Sequence, residues 1–430
     1  MSWNLSKLGD NCTITSSRRF HLDERKKEGV PFYSSKEIIQ LCNGESITDC
    51  QYISDEAYED VKCRFGVPKE NDLLLTTRGT YGVPYLYRSS DKFYFSDGNL
   101  TWFKDFGESL DSKFLYYWFK SSEGWGKVDS IAKGTAQKAV PIDALKDLEI
   151  PLPPLSIQRR IADILSAYDD LIENNQRQIK LLEEAAMRLY REWFVFMRFP
   201  GHESVRIVDG VPEGWEKKCL RHLISYEIGG GWGNDNESSG FDIRTWVIRG
   251  TDIDGLSSGQ IHSIPLRFNK QQTLSSRMLS HGDIIFEVSG GSKNVGVAKS
   301  YLITQPLIDY LGHPVICASF CKMIRPISLD YAEYLYSTLR HLRDSGITEE
   351  YELKSASSII NFKWADFLDL HFVLIPPETI MHAFNDCISP IYTKIVSMSI
   401  QVETLQKARD ALLPRLMNGG EGLKLEGGAV

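Results

Sequence analysis

The sequence predicts an α+β protein that is an internal duplication: two mixed α/β domains separated by two long antiparallel coiled-coil helices, the halves related by a pseudo-twofold axis. Three observations carry this. An apolar series at helical spacing runs through residues 153–199, and a second one, also opened by Pro-Pro, runs through 376–418. The segments ahead of the two helices repeat one order of short strands and turns at a period of about 210 to 220 residues, far too long for a solenoid.

Residues 1–152 make the first domain. VPFYSSKEII (30–39), DLLLTTRG (72–79), PYLYR (84–88) and KFYFS (92–96) are aromatic and β-branched runs bounded by Gly, Pro, Asn and Asp, which is strand and turn chemistry. SLDSKFLYYWFKSS (109–122) has helical spacing and a capping start. A polar loop, a short turn and an extended stretch (133–154) lead into the first long helix.

That helix, 153–199, has Ile157, Ile161, Ile164, Tyr168, Ile172, Ile179, Leu182, Ala186, Leu189 and Trp193 three or four residues apart, with Ser156 as the expected N-cap and Phe199-Pro200-Gly201 as the stop. At ~1.5 Å per residue it is a rod of roughly 60 Å, more than one small domain can bury, so it requires a partner helix. Asn175 sits in the seam, where a lone Asn fixes pairing register.

The second domain, 200–375, restates the first. TWVIRGTDIDGL (245–256) stands where VPFYSSKEII stood; HGDIIFEVSGGSKNVGVAKS (281–300) answers ENDLLLTTRGTYGVPYLYRS, Asp283 against Asp72 and Gly290 against Gly79. The partner helix, 376–418, places Ile391, Ile395, Met398, Val402, Leu405 and Leu412 on its seam, and Pro390 and Pro414 are expected to kink or trim it. Residues 419–430 read as a flexible tail. Two domains held at opposite ends of such a rod could touch an extended partner at two places, and duplex DNA, with its repeat of roughly 34 to 36 Å, suits that geometry.

Composition bounds the function. Of 430 residues 42% are hydrophobic, yet no charge-free run approaches the ~20 residues of a membrane span, and the N-terminus lacks the apolar core of a signal peptide; a cytoplasmic location is expected. The eight cysteines are scattered without a CxxC pair and read as free thiols, not a zinc site. The net charge of −8, with no basic excess in any segment, means that a DNA-binding surface must be local or share its counter-charge with a partner. No GxxxxGK[ST], HExxH or GxSxG occurs, nor the Asn/Asp-Pro-Pro-aromatic motif of amino-methyltransferases: Leu152 and Ile375 precede the two proline pairs. Gly229-Gly230-Gly231-Trp232-Gly233 lacks the GxGxxG order and a following helix, and reads as a flexible turn or, second, as a loop whose backbone approaches DNA phosphate.

LPPLSIQRRIADILSAYDDLIENN, LYREWFVFMRFPGHE and VPEGWEKKCL resemble the central region of specificity (S) subunits of type I restriction-modification systems. IPPETIMHAFNDCISPIYTKI with LLPRLMNGG resembles their distal region, and GGGWGNDNE, TWVIRGTDI and GDIIFEVSGG resemble the openings of their target recognition domains. The resemblance implies a non-catalytic subunit that reads a bipartite asymmetric DNA target, one part per domain, with the helices setting the gap. It further implies two docked modification (methyltransferase) subunits and added restriction (helicase-nuclease) subunits. S-adenosylmethionine, ATP and Mg then belong to those partners, with no cofactor or metal on this chain. The residues alone also leave open a structural coiled-coil protein without DNA recognition, and a DNA enzyme with an unrecognised site.

Candidate DNA contacts follow from chemistry: Arg, Lys, Asn and Gln read base edges, while Ser, Thr, Lys and backbone amides hold phosphates. They are Arg18, Arg19, Lys36, Arg78, Tyr81, Lys133, Thr135, Gln137 and Lys138 in the first domain, all expected in loops between strands or just before the helix. In the second they are Trp232, Arg249, Thr251, Ser289, Lys293, Asn294, Lys354 and Ser357. Glu24-Arg25-Lys26-Lys27-Glu28 and Glu349-Glu350 read as solvated faces, Asp169, Asp170 and Glu173 as surface or docking positions, and Tyr190, Trp193, Phe194 and Phe196 as core at the helix-domain junction.

Overall fold

The computed structural model describes residues 3–44, 47–134, 138–290, 296–354 and 359–418, with Lys354 by its backbone only. The chain divides into two compact units: 1–169 with 407–430, and 170–406.

In the first unit the strands are β1 (Leu5–Lys7), β2 (Thr13–Thr15), β3 (Val30–Tyr33), β4 (Gln51–Ile53), β5 (Leu73–Thr76), β6 (Pro84–Leu86), β7 (Tyr94–Phe95), β8 (Leu100–Lys104) and β9 (Glu149–Pro151). They form a four-stranded sheet β2-β8-β5-β6, a three-stranded sheet β4-β3-β7 and the pair β1-β9. β5 is an inner strand covered on both faces, so Leu73, Leu74 and Leu75 are all buried and no alternation shows. The 30–39 run is half strand, half helix. Ser34 caps α1 (Ser35–Cys42), its hydroxyl accepting from Lys36 N while Glu37 accepts the Ser34 N–H at 2.8 Å, a capping box that overrides the β-propensity of the two isoleucines. α2 (Asp55–Arg64), α3 (Ser112–Lys120), α4 (Ser122–Ile131) and α5 (Ile142–Lys146) complete the domain. Asp111 caps α3 through the N–H groups of Lys113 and Phe114, and α3 buries Phe114, Leu115, Trp118 and Phe119 against β5 and β8.

The long helix α6 (Leu155–Tyr190) starts one residue before the expected cap: the Pro154 carbonyl, not the Ser156 side chain, takes the first amides. Gln158, fully buried, fastens it to the domain by accepting from Asp111 N and donating to the carbonyls of Ser109 and Pro153. Asp169 is not a free surface acid, since it accepts from Arg409 and from the Tyr117 hydroxyl. Arg409 lies on α12 (Glu378–Met417), whose Leu413, Leu416 and Met417 share a core with Ile161, Ala162 and Leu165.

The second unit contains β10 (Ile207–Val208), β11 (Val211–Pro212), β12 (Glu216–Cys219), β13 (Ile224–Gly229), β14 (Ile243–Ile248), β15 (Leu266–Asn269), β16 (Ile284–Glu287), β17 (Ser289–Gly290), β18 (Ser300–Leu302), β19 (Val315–Cys317), β20 (Cys321–Pro326), β21 (Glu352–Lys354), β22 (Ile360–Phe362) and β23 (Phe372–Ile375). Its helices are α7 (Ile253–Ser257), α8 (Gln271–Arg277), α9 (Gln305–Leu311), α10 (Ala332–Asp344) and α11 (Trp364–Leu370). The duplication is visible strand for strand. β13-β20-β16-β18 restates β2-β8-β5-β6, β15-β14-β19 restates β4-β3-β7, and β12-β23 restates β1-β9. The middle strand of each three-stranded sheet pairs antiparallel on one side and parallel on the other.

Within the second unit α6 and α12 run antiparallel. Asn175 donates to Gln401 at 3.4 Å, and further along α6 the Trp193 ring meets Phe384, at the start of α12. Ile172, Ile179, Ile388, Ile395, Met398 and Val402 fill the seam. The buried face of α12 is wider than a coiled-coil stripe, because Tyr392, Val396 and Glu403 also pack on the domain, Tyr392 against Ser337 and Glu403 against His262. Neither proline breaks α12. Pro390 and Pro414 are exposed, where the carbonyls they leave unbonded meet water. α6 leaves α-geometry at Tyr190, earlier than expected, through one wider turn at Arg191–Val195 that buries Trp193 and Phe194; Phe196 stays half-exposed outside that core.

Candidate nucleic-acid interface

In the first unit the parallel pairing of β3 with β7 brings the β3-α1 corner beside the β7-β8 turn. Between them lies an open groove of about 430 Å³ lined by Arg25, Ser34, Lys36, Gln51, Ser96 and Asn99. Lys36 is exposed but sits in the first turn of α1, not in a loop. Arg19 reaches the same turn through an ion pair with Asp97 at 2.7 Å, while Arg18 pairs with Glu24 and stacks over Phe20. Glu24 and Arg25 are therefore not merely solvated: Arg25 donates to Gln51 and to the Phe20 carbonyl.

A second group follows β5. Arg78 and Lys133 both bridge to Ala139, so these two candidates, 55 positions apart by number (133 − 78), share one backbone partner. Asp129 gathers two more, accepting from the Tyr81 hydroxyl and from Lys138 at 2.9 Å. The Tyr81 hydroxyl first, then Lys138, holds the Asp129 carboxyl below its usual range; Asp129 in turn raises Lys138. Thr135 and Gln137 lie outside the described residues.

The second unit has the same corners with different side chains. Arg249 occupies the place of Ser34 and Asp252 that of Glu37: the Arg249 N–H donates to Asp252 at 2.8 Å, as Ser34 N does to Glu37. The Arg249 guanidinium also binds Asp252 and the Ser263 carbonyl, which makes it a cap before it is a reader. Thr251 is exposed in the following turn. Ser289 and Lys354 are in β17 and β21, not loops, and the Ser289 hydroxyl donates to Asn361. Trp232, 38% exposed, lies under the Arg267 guanidinium, which itself pairs with Asp235. Lys293, Asn294 and Ser357 lie outside the described residues, as does the Lys354 side chain. Two of the glycines are packed tightly: a Cβ on Gly230 would sit 2.2 Å from the Ala318 carbonyl and one on Gly233, with φ +75°, 2.5 Å from the Phe268 carbonyl of β15, whereas Gly229 faces open space.

Outside the sequence candidates, Asn99, Gln51 and Arg25 line the groove of the first unit, and in the second Phe320 is exposed and Arg267 covers Trp232. Asn99 follows Lys36 by 63 positions (99 − 36), and the β3-β7 pairing together with the Ser35 hydroxyl bond to the Asn99 carbonyl joins them. Four of the nine candidate cations are paired within their own unit, Arg18 with Glu24, Arg19 with Asp97, Lys138 with Asp129 and Arg249 with Asp252. Among the described residues no group of three His, Cys, Asp or Glu side chains could hold a metal, and no helix is long and apolar enough to cross a membrane.

Residues 1–184 match the family model described as type I restriction modification DNA specificity domain. The chain is 25% identical to the type I restriction enzyme MjaIX specificity subunit of Methanocaldococcus jannaschii, over 97% of this chain and 93% of the relative. A putative type I restriction enzyme specificity subunit of Haemophilus influenzae is 30% identical over 43% of this chain and 45% of its own length. The crystal structure of the type I restriction-modification S subunit from M. genitalium shares the fold, with a TM-score of 0.60 at 16% identity over 97% of this chain and 96% of that one.

Proposed function

We propose that this chain, which belongs to the type I restriction-modification DNA specificity family, reads a split duplex target with one half-site per unit and directs methylation and restriction by the subunits it recruits. It is not itself catalytic. The observation that carries the reading is that one three-sheet topology occurs twice while the side chains at equivalent corners differ, Ser34 against Arg249 and Asn99 against Phe320. A scaffold for reading two different base sequences needs the same backbone with different edges.

The acidic charge balance and the internally paired cations favour a DNA complex that gains much of its phosphate affinity from partner subunits. Those partners are two modification subunits, which bring S-adenosylmethionine, and restriction subunits, which bring ATP and Mg. The proposed domain limits are 1–152 and 200–375, and the helical segments 153–199 and 376–418 set the gap between half-sites.

The test is equilibrium binding of duplex DNA across a salt titration, with and without co-expressed modification subunits, joined to methylome sequencing of a host carrying the complete system. Expected are a steep salt slope in the complex and a bipartite methylated motif; binding with no salt dependence, or no motif, overturns the reading. Inserting or deleting one helical turn between Glu173 and Leu189 should change the gap and leave the bases of both half-sites alone.

A further inference from the structure

The register of the four-stranded sheets identifies one position in each unit that no family match or sequence candidate marks. β5 pairs Thr76 with Leu100, and β16 pairs Glu287 with Cys321, so Asn99 and Phe320 occupy the same place, one residue before the strand that follows the turn. Each is clamped by two hydrogen bonds to its carbonyl. Asn99 accepts from Thr77 N at 2.8 Å and from the Ser35 hydroxyl at 3.0 Å; Phe320 accepts from Val288 N at 2.9 Å and Ser289 N at 3.2 Å. The backbone is thus held on the sheet while the side chain stays at the surface: half-buried Asn99 lines the polar groove with Lys36 and Gln51, its amide donating one hydrogen to the Ser96 hydroxyl at 3.3 Å and keeping its side-chain carbonyl oxygen and second N–H for a base edge, and Phe320 is 58% exposed. A fixed backbone under an outward side chain is the arrangement a base reader needs, since a loose support blurs discrimination between base edges. Chemistry separates the two sites. A side-chain amide pairs with the N6 and N7 edge of adenine, and an apolar ring contacts the methyl of thymine.

We infer that Asn99 and Phe320 are equivalent specificity-determining residues, Asn99 reading an adenine edge in one half-site and Phe320 a thymine methyl in the other. This rests on the DNA-reading function proposed above.

The experiment uses the full chain in complex with its modification subunits, selecting from a pool of duplexes randomised across both half-sites. Asn99→Ala should cut discrimination at a single adenine-containing base pair of one half-site by roughly ten- to a hundredfold and leave the other half-site as it was. Phe320→Ala should do the same at one thymine position of the other half-site. Asn99→Asp, which accepts but no longer donates, should move the preference at its position from adenine toward cytosine. Circular dichroism and co-elution with the modification subunits establish that each variant is folded, and Phe320→Leu, which keeps an apolar contact, should retain part of the preference. Wild-type selectivity in the alanine variants, or an equal loss at both half-sites, overturns the inference while leaving the DNA-reading function standing. If the wild-type complex itself selects no split sequence, the function falls and the inference with it.

Discussion

Asp72 and Asp283 occupy the same corner of their units, one residue before an inner strand, and each accepts a backbone N–H from three residues earlier, Lys69 and Ser280. Their other partner differs. Asp72 takes the Trp102 indole N–H at 2.8 Å, whereas Asp283 takes both arms of the Arg325 guanidinium at 2.7 and 2.8 Å. Burial pushes the Asp72 carboxyl up; in the other unit the bond to Asp283 raises Arg325. At the corners that follow β3 and β14, Ser34 with Glu37 and Arg249 with Asp252 repeat the pattern of one retained backbone bond and one exchanged side chain. A duplicated fold keeps the bonds that close its turns, because a buried carboxylate must be satisfied, and lets the partner that satisfies it drift.

The largest effect that can break this comparison is at the two aspartates. Arg325→Met leaves Asp283, 1% exposed, with a single donor and should cost about 2 kcal/mol, whereas Trp102→Phe removes one hydrogen bond and should cost about 1 kcal/mol. Urea denaturation of the full chain checks both, and equal costs would mean that the two corners are energetically alike.

Next comes Glu287, which stands where Thr76 stands in the first unit. It is buried, one carboxylate oxygen has no hydrogen-bond partner among the described residues, and burial raises its pKa. Because the folded value lies above the unfolded one, Glu287's own contribution to stability is most favourable below the unfolded value and falls as pH rises through the folded value. Glu287→Gln should therefore raise stability by roughly 1 kcal/mol at alkaline pH and change little in acid, while Thr76→Val shows no pH dependence. Melting temperatures at several pH values measure this, and a flat difference would remove the role assigned to burial.

The smallest effect concerns the bridge that Arg78 and Lys133 make with Ala139, restated by β17 and β21 on β22. Asp129, lowered first by the Tyr81 hydroxyl and then by Lys138, adds stability that is present above the ordinary carboxylate range and lost as pH falls through the lowered value. Asp129→Asn should speed amide exchange at Lys133 and Ala139 and leave Leu353 and Asn361 unchanged; a change in both pairs would show that the effect is not local.

The order of elements was legible because local chemistry settles it. Turn residues bound the 72–79, 84–88 and 92–96 runs, which became β5, β6 and β7, and the apolar spacing that fixed α6 and α12 survived two prolines. The repeat was legible too, down to Asp72 against Asp283. The β3-α1 corner was misread, because β-branched residues after Ser34 hid a capping box that needs Glu37 to turn back on the backbone. The candidate interface was legible by residue type alone, which picks out Lys36, Arg78, Lys138 and Arg249 but cannot tell an available cation from one already held by Asp129 or Asp252.

By itself the sequence determined two similar domains, two long amphipathic helices and an acidic charge balance, since periodicity, turn residues and charge are properties of neighbours along the chain. Only the tertiary structure decided that Asn99 lies beside Lys36 and that Phe320 stands where Asn99 stands. Those placements depend on the registers of β3 with β7, β5 with β8 and β16 with β20, which are contacts between segments far apart in sequence that no local pattern encodes.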